Sequence, residues 1–134
     1  PRFMAKTFRR TRQRESVRAV IEAATRPLRA DEVLFLAREQ VPELGLATVY
    51  RTLKLLVDEG ELAEVKLRSG ATRYEPVQRE HDSFFLCDAC SRAFPIEARL
   101  TNELALPDGF TMRRREVTLL GTCPTCSENQ AHSG

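Results

Sequence analysis

Apolar side chains recur at helical spacing in three stretches of the first 60 residues. Over residues 11–25 they fall three or four positions apart, at Val17, Val20, Ile21 and Ala24. This spacing predicts a first helix with one buried face, which Pro27 ends. A second helix is predicted over residues 30–40 and a third between Gly45 and Gly60.

The third predicted helix has an apolar face and a polar face. The apolar face consists of Val49, Leu53, Leu56 and Val57. Beyond this helix, residues 62–68 and 71–77 are predicted to form two strands around a Ser69-Gly70 turn. Three helices followed by a hairpin are the element order of a winged helix-turn-helix. In that fold the third helix enters the major groove of DNA.

Polar side chains of the third helix are suited to contact with DNA. Arg51 can donate to guanine or phosphate, and the ring of Tyr50 can lie against a thymine methyl group. Thr48 and Lys54 can reach backbone oxygens. A solvated surface helix is the alternative interpretation of these charges. DNA is favoured because the helix order, the hairpin and a basic N-terminal segment agree.

The second half of the chain predicts strands over residues 84–86 and 93–96, a helix over 97–106 and a strand over 111–120. Four cysteines punctuate this β-β-α-β pattern as two pairs, Cys87 with Cys90 and Cys123 with Cys126. Two C-x-x-C pairs are typical of a tetrahedral zinc site with four thiolates. Two disulfides and a dithiol redox site are the alternatives. A site with four protein ligands leaves no position for water, so it predicts structural zinc, one per chain, and no enzyme.

Composition and charge narrow the class of protein. The chain has 134 residues, of which 42% are hydrophobic and 30% charged, so a folded protein of one or two small domains is expected. No apolar run reaches the length of a membrane span, and no secretion signal is evident, which predicts a cytoplasmic protein without a membrane partner.

The charge is unevenly distributed along the chain. Residues 1–80 contain 16 basic and 12 acidic residues, hence +4, whereas residues 81–134 contain 5 and 7, hence −2. Residues 1–18 contain seven basic side chains and only one acidic side chain. This segment, which includes Arg10, Arg12 and Arg14, is predicted to meet phosphates, and a solvated basic tail is the alternative.

Together these features resemble the ferric uptake regulator (Fur) family of bacterial repressors. The resemblance is carried by residues 45–53, with the sequence GLATVYRTL, by Arg73-Tyr74-Glu75, and by the two cysteine pairs. It implies a homodimer that binds an A·T-rich palindromic operator, with a winged-helix domain, a hinge and a dimerisation domain. In that family the residues that match Tyr50 and Arg51 face DNA. A basic residue before the first helix, here within residues 9–14, reaches the minor groove.

The sequence departs from the family where a regulatory metal is expected. By position Glu75 and His81 match ligands and Asp82 could substitute for one, whereas Pro27 and Phe84 stand where the family has histidines. We therefore expect a metal-responsive repressor with a regulatory Mn(II), Fe(II) or Zn(II) at Glu75, His81 and Asp82. The alternative is a repressor without this site, which binds DNA without a corepressor or senses oxidation through its zinc thiolates.

The predicted architecture is thus α+β, with two small domains and no site for a small organic substrate. Residues 1–78 form a winged helix-turn-helix domain for DNA, 79–83 a hinge, 84–126 an α/β dimerisation domain with structural zinc, and 127–134 a disordered tail. The predicted DNA-binding residues are Arg10, Arg12, Arg14, Thr48, Tyr50, Arg51 and Lys54. A zinc-stabilised module that binds RNA or another protein is the rival class.

Overall fold

A computed structural model describes residues 2–68, 70–97 and 105–133. The chain divides into two compact units, Pro1–Glu80 and His81–Gly134. This division falls within residues 79–83, the predicted hinge. Among the described residues, no helix is both long enough and apolar enough to cross a membrane.

The N-terminal unit contains three helices and a small antiparallel sheet. Its elements are α1 (Arg2–Ala23), β1 (Leu28–Arg29), α2 (Ala30–Ala37), α3 (Leu46–Asp58), β2 (Leu62–Val65), β3 (Arg73–Pro76) and a 3-10 turn (Val77–Arg79). Strand β3 lies between β1 and β2, with Leu28 opposite Tyr74 and Leu62 opposite Pro76. This order of helices and strands confirms the predicted winged helix-turn-helix. The two-residue strand β1 was not predicted.

The core of this unit includes most of the apolar positions that the helical spacing predicted. Val17 and Ile21 of α1 are buried, as is Val33 of α2. On α3, Val49, Leu53 and Leu56 have no exposed surface, and Val57 packs against the same cluster. Burial of these side chains is what holds the three helices together, at about 1.5–3 kcal/mol for each large apolar side chain.

Helix α1 begins nine residues before the predicted start at residue 11. The basic segment at residues 9–14 therefore lies inside the first helix, not before it, and that prediction is wrong. Lysine, arginine and glutamine are strong helix formers, so this stretch extends the helix without an apolar stripe. Arg12 also contacts the loop after α2, where its Nη2 donates to the Gln40 carbonyl at 2.6 Å.

The C-terminal unit contains a second three-stranded sheet. Its elements are β4 (Ser83–Cys87), β5 (Ala93–Pro95), β6 (Val117–Gly121) and α4 (Pro124–Ser133). Strand β4 lies at the centre, antiparallel to β5 and parallel to β6. The predicted strand over residues 111–120 is shorter than expected and begins at Val117. The predicted helix over residues 97–106 lies largely outside the described residues.

Residues 124–133 form helix α4, although the sequence predicted a disordered tail from residue 127. The helix starts directly behind the second cysteine pair. Proline is favoured at the first helical position, which Pro124 occupies, because its fixed φ suits the helix and its missing N–H is not needed there. The Ser127 amide then donates to the Cys123 carbonyl at 2.9 Å. Because the segment is mostly polar, it lacks the apolar spacing by which a helix is recognised in a sequence.

Candidate metal centre and nucleic-acid interface

The parallel pairing of β4 and β6 brings the two cysteine pairs together. Cys87 lies opposite Gly121 at the ends of these strands, and the Asp88 amide donates to the Gly121 carbonyl at 2.8 Å. Cys123 lies two residues beyond Gly121. Because parallel strands end at the same edge of a sheet, sulfurs that are distant in sequence meet there.

The first pair lies on a tight turn between β4 and β5. Within this turn the Ser91 amide donates to the Cys87 carbonyl at 2.9 Å, and the Cys87 amide donates to the Arg92 carbonyl at 3.0 Å. Ser91 adopts the left-handed region, with φ of 61°. The turn folds the chain back so that Cys87 and Cys90 point to the same side.

The four sulfurs form a cluster of the size that a tetrahedral zinc site requires. All four Sγ atoms lie within 4.8 Å of one another, and Cys90 and Cys123 are 3.8 Å apart. Zn–S bonds of about 2.3 Å in a tetrahedron place sulfurs roughly 3.8 Å apart, whereas a disulfide needs about 2.05 Å. The geometry fits zinc and not a pair of disulfides.

Backbone amides and neighbouring thiols shift the pKa values of these cysteines in opposite directions. Hydrogen bonds from the Cys123 and Cys90 amides lower the pKa of Cys87 to about 6, and the Cys123 amide lies 3.3 Å from the Cys87 sulfur. A hydrogen bond with the Cys123 side chain, together with burial, raises the pKa of Cys126 to about 12. Burial also raises the pKa of Cys90. A divalent cation supplies the positive charge that four adjacent thiolates need.

A basic groove lies between α1 and α3 in the N-terminal unit. Its volume is about 550 Å³, and its lining residues are Arg10, Thr11, Gln13, Arg14, Thr48, Arg51, Thr52 and Leu55. Four of these, Arg10, Arg14, Thr48 and Arg51, are predicted DNA-binding residues. None of the described residues that line the groove carries a carboxylate. The arrangement presents three guanidinium groups and several hydroxyls, which together suit an anionic polymer.

Hydrogen bonds orient the side chains on this face of α3. The Arg51 Nη2 donates to the Thr48 hydroxyl at 3.1 Å, and the Thr52 hydroxyl donates to the Thr48 carbonyl at 2.8 Å. Tyr50 and Lys54 are exposed on the same helix but do not line the groove. Thr52 was not singled out from the sequence, although its position four residues after Thr48 places both on one helical face.

Two of the predicted DNA-binding arginines make ion pairs within the unit. Arg12 pairs with Glu43 at 3.3 Å, and both side chains are more than half exposed. Arg14 pairs with Glu59 and lies 3.7 Å from Glu61. Glu59 and Glu61 follow α3 directly, so the acceptors that hold Arg14 lie beside the groove that Arg14 lines.

The comparison with known families agrees with this geometry. The sequence model of the ferric uptake regulator family matches residues 5–118 of the chain. The chain belongs to the ferric uptake regulator family. Its fold, with mixed helices and sheets and four clustered cysteines, is the fold of this family, and members of the family regulate transcription.

Relatives and solved structures of the Fur family cover most of the chain. The ferric uptake regulation protein of Bacillus subtilis is 32% identical over 130 residues, which span 90% of this chain and 87% of the relative. The Escherichia coli K12 protein of the same name is 32% identical over 100 residues, which span 69% of this chain and 67% of the relative. A zinc-bound manganese uptake regulator superposes with a TM-score of 0.70 at 24% identity, covering 83% of this chain and 87% of the other.

The three residues predicted to hold a regulatory metal in this Fur-family chain are divided between the two units. Glu75 is buried in β3, opposite Ala63 of β2. His81 and Asp82 are exposed at the start of the C-terminal unit, where the Ser83 hydroxyl donates to Asp82 at 3.1 Å. Among the described residues, the cysteine cluster is the only group of three or more potential metal ligands whose donor atoms converge.

The positions of the missing family histidines are filled by buried residues. Pro27 has no exposed surface to speak of, and Phe84 is buried in the centre of the sheet as part of β4. The His81 ring meets the Phe84 ring edge-on, with centroids 6.1 Å apart. A phenyl ring offers no lone pair to a metal, so Phe84 cannot serve as a metal ligand at this position.

Proposed function

We propose that the protein is a cytoplasmic, homodimeric transcriptional repressor that binds a palindromic DNA operator through its N-terminal units. The observation that carries this proposal is the groove beside α3, where Arg10, Arg14 and Arg51 converge without a carboxylate in the lining. Membership of a family of transcriptional regulators supports it. In a winged helix-turn-helix, guanidinium contacts to phosphates position the protein, and contacts of the third helix to base edges give specificity.

The proposed division of roles within the interface follows from exposure and position. Tyr50, Arg51 and Lys54 extend from the exposed side of α3 and are proposed to meet the major groove. Arg10, Arg12 and Arg14 extend from α1 and are proposed to meet phosphates beside it. Thr48, at the start of α3, holds the Arg51 guanidinium at 3.1 Å.

The C-terminal unit is proposed to join two chains. Strand β6 lies at the edge of its sheet, and Leu119 and Leu120 on it are each 51% exposed. An edge strand with exposed apolar side chains is suited to an interface between subunits. The structural zinc would be held by Cys87, Cys90, Cys123 and Cys126. It would link β4, β6 and α4 and thereby stabilise the fold of this unit.

A binding experiment tests the DNA-binding proposal. Duplexes that the wild-type protein selects from a randomised pool give the operator, and fluorescence anisotropy then compares wild type, Arg51→Ala and the control Arg113→Ala. Arg113 is an exposed arginine of the C-terminal unit. Loss of Arg51 should weaken operator binding by about 1–3 kcal/mol if it contacts a base, with little change for the control. Equal binding of all duplexes by wild type would overturn the proposal and favour a module of another class.

Two candidates remain for the signal that controls the repressor. A metal at Glu75, His81 and Asp82 is supported by the metal-responsive relatives. A repressor without a regulatory metal, which binds the operator without a corepressor or senses oxidation through its zinc thiolates, is favoured by Pro27 and Phe84, which are buried where the resemblance led us to expect histidines.

Metal titration distinguishes these two candidates. Operator affinity is measured as Mn(II), Fe(II) or Zn(II) is added to protein that retains its structural zinc, with Asp82→Ala as the matched variant. A flat titration in wild type excludes the regulatory metal. A rise in wild type that Asp82→Ala abolishes excludes binding without a corepressor.

A further inference from the structure

The C-terminal end of α1 is capped by a side chain from the far end of the same unit. Helix α1 ends at Ala23 and has no basic residue in its last turn. Arg79 donates to three carbonyls there: to Glu22 at 2.7 Å, to Ala24 at 3.1 Å and to Ile21 at 3.5 Å. These carbonyls carry the negative end of the helix dipole, which a guanidinium group complements.

A second contact anchors the same short segment. The Val77 amide donates to the Glu61 carbonyl at 3.2 Å, in the loop that follows α3. The Glu80 amide then closes the 3-10 turn on the Val77 carbonyl at 3.2 Å. Residues 77–79 are therefore tied to α1 through a side chain and to the end of α3 through the backbone.

The anchored segment of residues 77–79 lies at the point where the chain leaves the N-terminal unit. The N-terminal unit ends at Glu80, one residue after Arg79. Helix α1 lines the basic groove, and so does α3, which directly precedes the loop that holds Glu61. The segment through which the chain leaves this unit is thus tied to α1 and to the loop that follows α3, and both helices are proposed to meet DNA.

We propose that Arg79 is a positioning residue for operator binding. By capping α1 it fixes the point and direction at which the chain leaves the DNA-binding unit. In a dimer this restricts the two DNA-binding units to the spacing of successive half-sites. The inference rests on the proposed function, since it requires a dimer and a two-part operator.

Linked binding gives this role a measurable signature. When two modules are joined, engagement of the second half-site is intramolecular, and affinity depends on whether the linkage allows both to bind together. A residue that only positions the units affects the two-site complex. A residue that contacts DNA, or that maintains the fold of one unit, also affects binding to a single half-site.

The experiment compares a full operator with a duplex that contains one intact half-site, both taken from the sequence that wild type selects. The variants are Arg79→Gln, Arg79→Lys and the control Arg113→Gln, all in the full-length, zinc-loaded protein. We expect Arg79→Gln to lose about tenfold or more in affinity for the full operator and less than about twofold for the half-site. Arg79→Lys keeps a donor and the charge, so it should restore part of the loss.

The outcomes separate this inference from the proposed function. Equal losses on both duplexes would show that Arg79 supports DNA contact or folding, and would overturn the positioning role. Unchanged binding on both would overturn it as well. If wild type itself shows no preference for any duplex, the proposed function fails and the inference fails with it. Half-site binding serves as the folding control, because an unfolded N-terminal unit loses it.

Discussion

At the scale of single residues, a carboxylate beside the basic groove would compete with the proposed DNA for Arg14. Arg14 lines the groove, yet its guanidinium is paired with Glu59 and lies near Glu61. A phosphate bound in the groove and the Glu59 carboxylate would both accept hydrogen bonds from the Arg14 guanidinium. The ion pair is about one-third exposed, so it contributes little stability and is readily exchanged.

Replacement of this competitor should strengthen DNA binding. Glu59→Gln removes the charge that holds Arg14, and we expect a gain of about two- to fivefold in operator affinity, because one more arginine can neutralise a phosphate. Measurement of affinity at several salt concentrations checks the cause, since the salt slope should also steepen.

Asp58→Asn is the matched control for this variant. It removes an equal charge at the neighbouring exposed position, at the end of α3. If both variants strengthen binding equally, a general change in charge explains the effect and release of Arg14 does not.

A second prediction at the scale of residues concerns the number of protons that are released when zinc binds to the cysteines. In the folded cysteine cluster at pH 7, before a metal binds, Cys126 with a pKa of about 12 and Cys90 with a raised pKa are thiols, whereas Cys87 with a pKa of about 6 is largely ionised; if the metal-free unit unfolds, these shifts are lost and more of the cysteines are thiols before zinc binds. Zinc requires thiolates, so binding must release about two protons or more at pH 7. Calorimetry in buffers of different ionisation enthalpy measures this number. Because protons compete with the metal, zinc affinity should fall as the pH falls; an affinity independent of pH would contradict the four-thiolate site.

At the scale of elements, the two faces of α3 have different roles, one in the core and one at the surface. Leu53 and Leu56 have no exposed surface and pack in the core, whereas Tyr50 and Leu55 are 50% and 44% exposed. The helix is therefore placed by its apolar face, and its polar face is free for contact with a ligand. Substitutions on the two faces of this helix should therefore have different effects on stability.

Two leucines of α3 test this separation. Leu53→Ala removes a fully buried side chain and should lower the free energy of unfolding of the N-terminal unit by about 2–5 kcal/mol. Leu55→Ala, at the rim of the groove, should cost less than about 1 kcal/mol. Chemical denaturation followed by circular dichroism gives both values. Similar losses for the two variants would contradict the burial of this helix face.

Elements with a strong local pattern could be predicted from the sequence. Helix α3 lies between Gly45 and Glu59, close to the glycines that were expected to bound it, and the four cysteines were recognised by spacing alone. Helix α4 was missed because its residues are mostly polar, and the first turns of α1 were missed because their described apolar residue, Phe8, is exposed and does not continue the buried stripe of Val17 and Ile21. Propensity and capping, not burial, produce these segments.

Contacts between distant residues could not be predicted in this way. Arg14 was predicted to meet phosphates and no contact was predicted for Arg79, yet their partners lie 45 and up to 58 residues away in the same unit. Pairing of this kind depends on the three-dimensional arrangement of helices that the sequence pattern identifies only one at a time. The resemblance to a family gave expected roles for Tyr50 and Arg51, but these contacts with DNA stay predictions.

At the scale of the whole molecule, the chain consists of two compact units with different sources of stability. The N-terminal unit has an apolar core formed by three helices and a sheet. Among the residues that the structure describes, the C-terminal unit buries fewer large apolar side chains, among them Phe84 and Leu86, and two of its buried residues are Cys87 and Cys123 of the zinc site. Small units of this kind commonly depend on a metal or a partner subunit.

Removal of the metal should therefore unfold the C-terminal unit, whereas the N-terminal unit should stay folded. We expect a chelator, or Cys123→Ser, to abolish the thermal transition of the C-terminal unit and to convert the dimer to monomers, while the helical signal of the N-terminal unit persists. Calorimetry and sedimentation velocity measure the two effects. Ser127→Ala, next to the second cysteine pair, is the control. A Cys123→Ser protein that keeps its zinc, its melting profile and its dimer would contradict the structural role.

The parallel pairing of β4 with β6 has a further consequence for the unfolded chain. Cys87 and Cys123 are 36 residues apart, so a metal bound to both pairs closes a loop of that length. A permanent cross-link around such a loop would remove chain entropy worth about 4 kcal/mol from the unfolded ensemble. The dependence on length is logarithmic, so doubling the loop would change the closure term by only about 0.6 kcal/mol. Zinc thus acts as a tether, and the span between the cysteine pairs is free to vary in length at small cost.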